Sequence, residues 1–198
     1  MTPGPPSVVV FDLGGVLLPF DRERRVRAVA ERFAIAPEAV RALEAEMAGP
    51  LDRGEIDERG LLAGLCALAG EAVAMDEALD LWLSVFEAPN AELWALAARL
   101  KRRVRVAGFS DNPAFVRRAV VDEGLFDPLF LSCELGAMKP AAEAFEAVRR
   151  ELAVEAGEIL FVDDSPANVA GAKVAGWDAL LFRSNAELAA ALAERGLA

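Results

Sequence analysis

The segment VVVFDLGG at residues 8–15 combines a run of β-branched and aromatic residues with one carboxylate and two glycines. A short apolar run of this kind is typical of a strand that is buried on both faces of a parallel sheet. Asp12 closes the run, and Gly14 and Gly15 interrupt it. The segment therefore predicts an inner strand whose carboxyl end carries an acidic side chain.

Beyond residue 89, short apolar runs alternate with segments of helical periodicity. The runs that we predict as strands lie at residues 104–109, 129–131, 159–162 and 179–182. Strands that alternate with helices of about 10–15 residues indicate a parallel sheet in an α/β fold. We also predict a helix that begins at Pro113 with Asn112 as its N-cap.

The segment between residues 21 and 86 has the apolar spacing of helices and predicts about four of them without a strand. A helical block inserted after the first strand indicates a cap over the sheet. The prolines and glycine at residues 3–6 favour a flexible tail. We therefore predict a tail at 1–7, an α/β core formed by 8–19 and 89–198, and a helical cap at 20–88.

The 198 residues carry a formal net charge of −11 and include no histidine, no tyrosine and two cysteines. The charge disfavours nucleic acid and anionic membranes, because phosphate contacts need clustered cations. The absence of histidine excludes Ser-His-Asp catalysis and histidine-ligated zinc. We see neither a signal-peptide pattern nor an apolar run of about 18 residues. We therefore expect a soluble cytoplasmic protein with no membrane or nucleic-acid partner, either a monomer or a homodimer.

Polar residues follow the predicted strands, where an open parallel sheet binds its ligands. They are Asp12, Ser110, Asp111, Asn112, Lys139, Asp163 and Asp164. Clustered carboxylates repel one another unless a cation lies among them, and an oxygen-only ligand set suits Mg²⁺. One carboxylate could attack an electrophilic phosphorus, while Lys139 could balance the charge of a phosphoryl group.

Four segments resemble, in order, the motifs of the haloacid dehalogenase-like (HAD) hydrolases: residues 11–17, 109–112, 139–140 and 161–168. The helical insert also falls where that superfamily places its small helical cap, and the motifs are most similar to those of sugar-phosphate phosphatase-like members. The resemblance implies a Rossmann-like sheet and Mg²⁺-dependent hydrolysis of a small phosphomonoester through an aspartyl-phosphate.

The resemblance also implies a role for each site residue. The catalytic residues would be Asp12, as the nucleophile, and Lys139, which would also restrain Asp12. The substrate-binding residues would be Ser110, Asp111, Lys139 and Asn168, and Asn168 would also support the fourth motif. The metal ligands would be Asp12, the backbone carbonyl of Gly14, Asp163 and Asp164.

The sequence departs from this pattern at Gly14. Phosphatases of the superfamily usually carry there a second aspartate, which protonates the leaving group, and loss of such an acid typically costs about 10²–10⁴ in rate. Three functions stay open. A phosphatase could act on a good leaving group or use a replacement carboxylate such as Asp21. A dehalogenase would release a halide, which needs no proton, but the pair at 163–164 argues for a metal that dehalogenases do not use. The third function is non-catalytic binding of a phosphate or metabolite.

The predicted cap offers two further sets of candidates. Arg22, Arg24, Arg25 and Arg27 form either a solvated helix face or a set from which one or two residues reach a substrate anion. Trp82 and Phe86 are either core residues of the cap or part of the substrate pocket.

Overall fold

The computed structural model describes residues 5–120 and 122–197. Within these ranges, five parallel strands form one sheet in the order β3-β2-β1-β4-β5. The strands are β1 (Val8–Phe11), β2 (Arg105–Ser110), β3 (Leu129–Leu131), β4 (Ile159–Asp163) and β5 (Asp178–Leu181). The predicted α/β fold with a parallel sheet is confirmed, and the segment at residues 8–15 contains its central strand.

Nine α-helices are found in the same two ranges. They are α1 (Arg22–Phe33), α2 (Pro37–Asp52), α3 (Glu58–Ala69), α4 (Met75–Leu83), α5 (Ala91–Leu100), α6 (Ser132–Leu135), α7 (Ala142–Leu152), α8 (Pro166–Val174) and α9 (Asn185–Glu194). The prediction at Pro113 is wrong in detail, because Ala114–Ala119 forms a 3₁₀ helix without a side-chain cap. The side-chain amide of Asn112 donates instead to the Ser110 hydroxyl, 2.9 Å away.

Alternate residues of the strands face two separate hydrophobic layers. Val9 and Phe11 of β1 belong to the layer that α5 and α9 cover, whereas Val8 and Val10 belong to the layer under α7 and α8. All four side chains are buried. Burial on both faces explains why β1 reads as an unbroken apolar run rather than an alternating one.

The helices α1 to α4 pack around a third hydrophobic cluster of their own. A buried ion pair lies within it: the Arg25 guanidinium is 2.9 Å from the Glu44 carboxylate and 4.0 Å from the centre of the Trp82 ring. The assignment of 20–88 as a cap, and of 8–19 and 89–198 as the core, stays a prediction. Residues 1–4 of the predicted tail, and Ala198 of the predicted core, lie outside the described residues.

Two features connect this helical block to the sheet. The connecting segments run side by side, and the Asp21 and Glu87 amides donate to the carbonyls of Val85 and Pro19 at 2.8 Å. Further along the chain, the buried Ser132 hydroxyl donates to the backbone carbonyl of Asp52 at 2.5 Å and accepts from the backbone amide of Asn112 at 3.0 Å. The last residue of α2 is therefore held over the loop that follows β2.

A close approach between α8 and residue 140 fixes the loop that follows α6. A Cβ atom on Gly171 would lie 2.7 Å from the Pro140 carbonyl oxygen and 3.0 Å from the Phe145 ring. Position 171 therefore has to be glycine for the helix to approach this backbone so closely.

We expect Gly171→Ala to lower the free energy of unfolding by about 1–3 kcal/mol, because overpacking against backbone exceeds the gain of about 1 kcal/mol in helix propensity. Gly157→Ala is the matched control, since a Cβ there meets no atom within 4 Å. Urea denaturation of both variants measures the difference. Equal stability of the two variants would show that the contact at 171 carries no strain.

Candidate active site

Three neighbouring strands bring polar side chains to one edge of the sheet. Asp12 follows β1, Ser110 ends β2 and Asp163 ends β4. Since β2, β1 and β4 are adjacent and parallel, their carboxyl ends meet there. All three side chains are buried. The predicted convergence of strand-end residues is therefore present in the structure.

The Lys139 ammonium lies at the centre of this edge. It donates to the Asp12 carboxylate at 2.8 Å, to the Asp163 carboxylate at 2.9 Å and to the Phe109 carbonyl at 3.1 Å. Its side chain is 1% exposed. Burial alone would lower the pKa of Lys139, but the Asp12 and Asp163 carboxylates raise it above its ordinary value. The side chain therefore keeps its charge, and all three of its protons are engaged.

The surroundings of the Asp12 carboxyl group disfavour its charged form. Burial raises its pKa from 3.8 to about 7, Lys139 opposes that rise, and Asp163 and Asp164 add to it. Only its Oδ1 atom accepts from Lys139. The residue also lines a cavity of about 310 Å³. Lys139 therefore holds the Asp12 carboxylate through one of its two oxygens.

The Asp163 carboxylate is enclosed by donors. Its Oδ1 accepts from the Ser165 amide at 2.8 Å, and its Oδ2 accepts from Lys139. The Asn168 amide lies within 3.2 Å of both oxygens. These donors orient Asp163 firmly. Ser165 itself caps α8 and Pro166 occupies its first turn, as the sequence pattern indicates.

The acidic residues form a set that fits a hard divalent cation. Asp12, Asp163 and Asp164 each offer one oxygen within 4.8 Å of the others. A Cβ on Gly15 would lie 2.1 Å from the Asp164 carboxylate, so glycine at 15 leaves the space that this carboxylate occupies. With Lys139 the group retains two negative charges, which Mg²⁺ would balance, and oxygen-only ligands suit that ion.

The loop after β2 supplies the next group of polar atoms. The Ser110 hydroxyl accepts from Asn112, which also lines the cavity. Asp111 accepts from the Lys139 backbone amide at 3.1 Å, and burial raises the pKa of Asp111 although the Lys139 charge opposes it. Asp111 is one of the residues that line the cavity, and its carboxylate is held by the loop that contains Lys139.

The helical block closes the other side of the cavity. Its contributions include Phe20, Arg22, Arg25, Asp52, Trp82 and Phe86. Trp82 therefore belongs both to the hydrophobic cluster of the helices and to the cavity wall. Of the four arginines, Arg22 and Arg25 line the cavity, and Arg25 is already paired with Glu44.

The ring of Phe20, from the segment that leads into α1, lies beside the position of the missing aspartate. A Cβ on Gly14 would lie 3.6 Å from the Phe20 ring, at ordinary contact distance. Asp21 does not replace the missing carboxylate, because its side chain caps α1 through the Glu23 amide and pairs with Arg27 at 3.2 Å. Within the described part of the chain it is not among the residues that line the cavity.

Several residues of the helical side, Asp52 and Glu44 among them, line the site without having been predicted from the sequence. Asn112 lies in the site at the end of β2, as predicted, but it does not cap a helix. Asp52 carries no local signal, because α2 could present it to solvent as readily as to the cavity. All of the predicted residues Asp12, Gly14, Ser110, Asp111, Lys139, Asp164 and Asn168 line the cavity, and Asp163 lies directly behind it.

Comparison with known proteins places this fold and site in one class. A model of the haloacid dehalogenase-like hydrolases matches residues 6–176. The chain therefore belongs to that family and is a HAD-like hydrolase, as the four motifs indicate.

Individual relatives agree with this assignment. A D-ribitol-5-phosphate phosphatase of Bacteroides thetaiotaomicron is 28% identical over 183 residues, which cover 86% of this chain and 88% of that protein. The crystal structure of a HAD family enzyme from the same organism, in complex with magnesium and inorganic phosphate, superposes with a TM-score of 0.79 at 22% identity, covering 90% and 95% of the two chains. The structure of an L-2-haloacid dehalogenase of Xanthobacter autotrophicus superposes with a TM-score of 0.63 at 23% identity, covering 97% and 84% of the two chains.

The described helices include none with the length and apolarity to cross a membrane.

We expect Lys139→Met to lower the free energy of unfolding by about 3–5 kcal/mol near pH 8, because it leaves buried carboxylates without a counter-ion. The loss should shrink towards pH 5. Without the ammonium, the pKa of Asp12 rises further above 3.8 in the folded state alone, so the folded variant binds the extra proton and loses stability as pH rises.

Lys173→Met, at an exposed lysine of α8, is the matched control. Urea denaturation without metal at both pH values measures the effect. A loss that is the same at pH 5 and pH 8 would contradict the electrostatic explanation.

Proposed function

We propose that the protein is a Mg²⁺-dependent phosphatase that hydrolyses a small phosphomonoester through an aspartyl-phosphate on Asp12. The observation that carries this proposal is the carboxylate of Asp12, which is held by Lys139 at 2.8 Å beside two further carboxylates and faces the cavity. A carboxylate that a lysine orients, and that lies beside a set of carboxylates able to bind a cation, suits nucleophilic attack on phosphorus.

The metal site proposed here consists of Asp12, the Gly14 carbonyl and Asp164, with Asp163 as a fourth predicted ligand. The hydrogen bonds that surround Asp163 favour a role in orienting Lys139 and the loop before α8. Bound Mg²⁺ would offset the carboxylate charge and polarise the phosphoryl oxygens.

The chemical step follows from the placement of Asp12. The oxygen of Asp12 that does not bind Lys139 forms the bond to phosphorus, and the bond from phosphorus to the alcohol oxygen breaks. Lys139 fixes the attacking group and contributes its charge, since its three protons are already engaged. Ser110 is free to donate its hydroxyl proton to a phosphoryl oxygen, and Asn168 supports Asp163.

The substrate class proposed is a phosphorylated sugar or polyol. The similarity to a D-ribitol-5-phosphate phosphatase supports it. So does the cavity wall, which combines the aromatic rings of Trp82 and Phe86 with the carboxylates of Asp52 and Asp111. Carboxylates accept hydrogen bonds from hydroxyl groups, and rings pack on the apolar faces of such molecules.

The cap, the compartment and the oligomeric state belong to the same proposal. Segment 20–88 would act as a cap that selects the substrate and excludes water during the reaction. The protein would work in the cytoplasm as a monomer or homodimer, without a nucleic-acid or membrane partner.

We expect phosphate release from sugar and polyol phosphates, D-ribitol 5-phosphate included, to require Mg²⁺ and to fall by at least about 10³-fold in Asp12→Asn, because that change removes the nucleophile. Asp76→Asn is the matched control, since its carboxylate lies at an exposed position of α4. Release of phosphate from a panel of such esters, with and without a chelator, measures both effects.

Other outcomes would point to the other functions. Activity on 2-haloacids that persists with a chelator would support a dehalogenase. Ligand binding without turnover at any Mg²⁺ concentration would support a non-catalytic binder. Either result would contradict the phosphatase.

A further inference from the structure

The phosphatase proposed above needs a proton for its leaving group, and position 14 cannot supply one. An alcohol leaves as an alkoxide unless an acid protonates it, and the space next to Gly14 contains the ring of Phe20. The donor must therefore be another titratable group on the cavity wall. The carboxyl groups there are Asp12, Glu44, Asp52, Asp111 and Asp164.

Four of these carboxyl groups are already committed. Asp12 is the proposed nucleophile, and Asp164 is a proposed metal ligand. Glu44 forms the buried ion pair with Arg25, and Asp111 accepts a hydrogen bond from the Lys139 amide at 3.1 Å. Asp52 has none of these commitments: within residues 5–120 and 122–197 its carboxyl group forms no side-chain hydrogen bond, while its backbone carbonyl accepts from the Ser132 hydroxyl.

We propose that Asp52, the last residue of α2, is the general acid and base of this enzyme, in place of the aspartate that position 14 lacks. The proposal rests on the proposed phosphatase function. It is carried by the position of Asp52 on the helical side of the cavity that Asp12 lines from the sheet. The phosphoryl group would lie against Asp12, so the leaving alcohol extends towards the helices.

The backbone holds Asp52 firmly in this position. Its backbone carbonyl accepts from the Ser132 hydroxyl at 2.5 Å, and the same hydroxyl accepts from the backbone amide of Asn112 at 3.0 Å. Asn112 in turn binds Ser110, which is proposed to contact the phosphoryl group. Three hydrogen bonds therefore connect the backbone of Asp52 to the proposed phosphoryl site.

The surroundings of Asp52 raise the pKa of its carboxyl group towards neutral pH. Burial raises its pKa from 3.8 to about 7, and Asp111 adds to the rise, while Arg25, Arg22 and Arg53 oppose it. Burial, Glu134 and Asp52 in turn raise the pKa of the Cys133 thiol. An acid whose pKa lies near the working pH is the most effective proton donor.

The two steps balance in atoms and charge. As the bond from Asp12 to phosphorus forms and the ester bond breaks, the Asp52 carboxyl proton passes to the alcohol oxygen, which leaves as a neutral alcohol. The Asp52 carboxylate then takes a proton from a water molecule as that water attacks phosphorus. Inorganic phosphate leaves, the Asp12 carboxylate is restored, and Asp52 is again protonated.

The test compares two esters that differ in their need for a proton. An alkyl phosphate hydrolysed by the wild type requires a protonated leaving group, whereas 4-nitrophenyl phosphate releases a stable phenolate. We expect Asp52→Asn to lower kcat/KM for the alkyl ester by about 10²-fold and to leave kcat/KM for the aryl ester little changed, because kcat/KM reports only the steps up to release of the leaving group. Loss of the base that activates water would lower kcat for both esters, because they share the aspartyl-phosphate. Retained kcat/KM on the aryl ester also shows that the variant folds.

The ratio of the two kcat/KM values as a function of pH isolates the titration of Asp52 as the acid. Both substrates need the Asp12 carboxylate, so its ionisation cancels in the ratio. In the wild type the ratio of alkyl to aryl rate should fall above pH 7, as Asp52 loses its proton, and in Asp52→Asn it should be flat. Asp52→Glu should restore part of the alkyl activity. Glu46→Gln, which removes an exposed carboxylate from the same helix, should behave as the wild type.

Three results would overturn the assignment. Equal loss of kcat/KM on both esters in Asp52→Asn would show a structural or binding role. A loss of kcat/KM restricted to the alkyl ester in Asp111→Asn but not in Asp52→Asn would move the acid to Asp111. Absence of wild-type turnover of every ester in the panel would remove the phosphatase function itself, and with it the role of Asp52, whereas the first two results leave that function intact.

Discussion

The site depends on a single buried ammonium group. Lys139 reaches the sheet edge from outside it and is 1% exposed between the carboxylates of Asp12 and Asp163. Unpaired carboxylates could not be buried at adjacent strand ends, because desolvating a charge costs several kcal/mol unless an opposite charge compensates. The same hydrogen bonds set the direction of Asp12. Fold and proposed chemistry therefore share one constraint, and the tight packing of α8 on Pro140 keeps the lysine in place.

Much of this arrangement could be predicted because it depends on local sequence. A strand buried on both faces reads as an apolar run, and the residue that ends it must lie at the sheet edge. Asp12, Ser110 and Asp163 follow from that rule alone. The order of the motifs then predicts that Lys139 joins them. In each case the spacing along the chain is enough to fix the position in space.

The helical side of the cavity could not be predicted in this way. Whether Asp52, Arg22 or Trp82 faces the cavity depends on how α1 to α4 pack on one another and on the sheet. The same amphipathic pattern fits several such packings. The helix cap predicted at Asn112 is wrong for a different reason: a side chain that could cap a helix can also donate to the hydroxyl of Ser110, and the structure has the second contact. No sequence signal shows that the Phe20 ring lies beside Gly14.

The fold alone does not decide the reaction, since phosphatases and dehalogenases share it. In this protein the question is where a proton for the leaving group comes from, because position 14 is glycine and the donor has to come from the helical block. An acid at position 14 would belong to the sheet edge and would be present whether or not the helices covered the site. Asp52 belongs to α2, so proton donation requires that helix to lie over the bound substrate. The residues that choose the leaving group would then be the same ones that assemble its proton donor. In such an enzyme, specificity and the chemical step are coupled through the Ser132 hydrogen bonds rather than through the nucleophile.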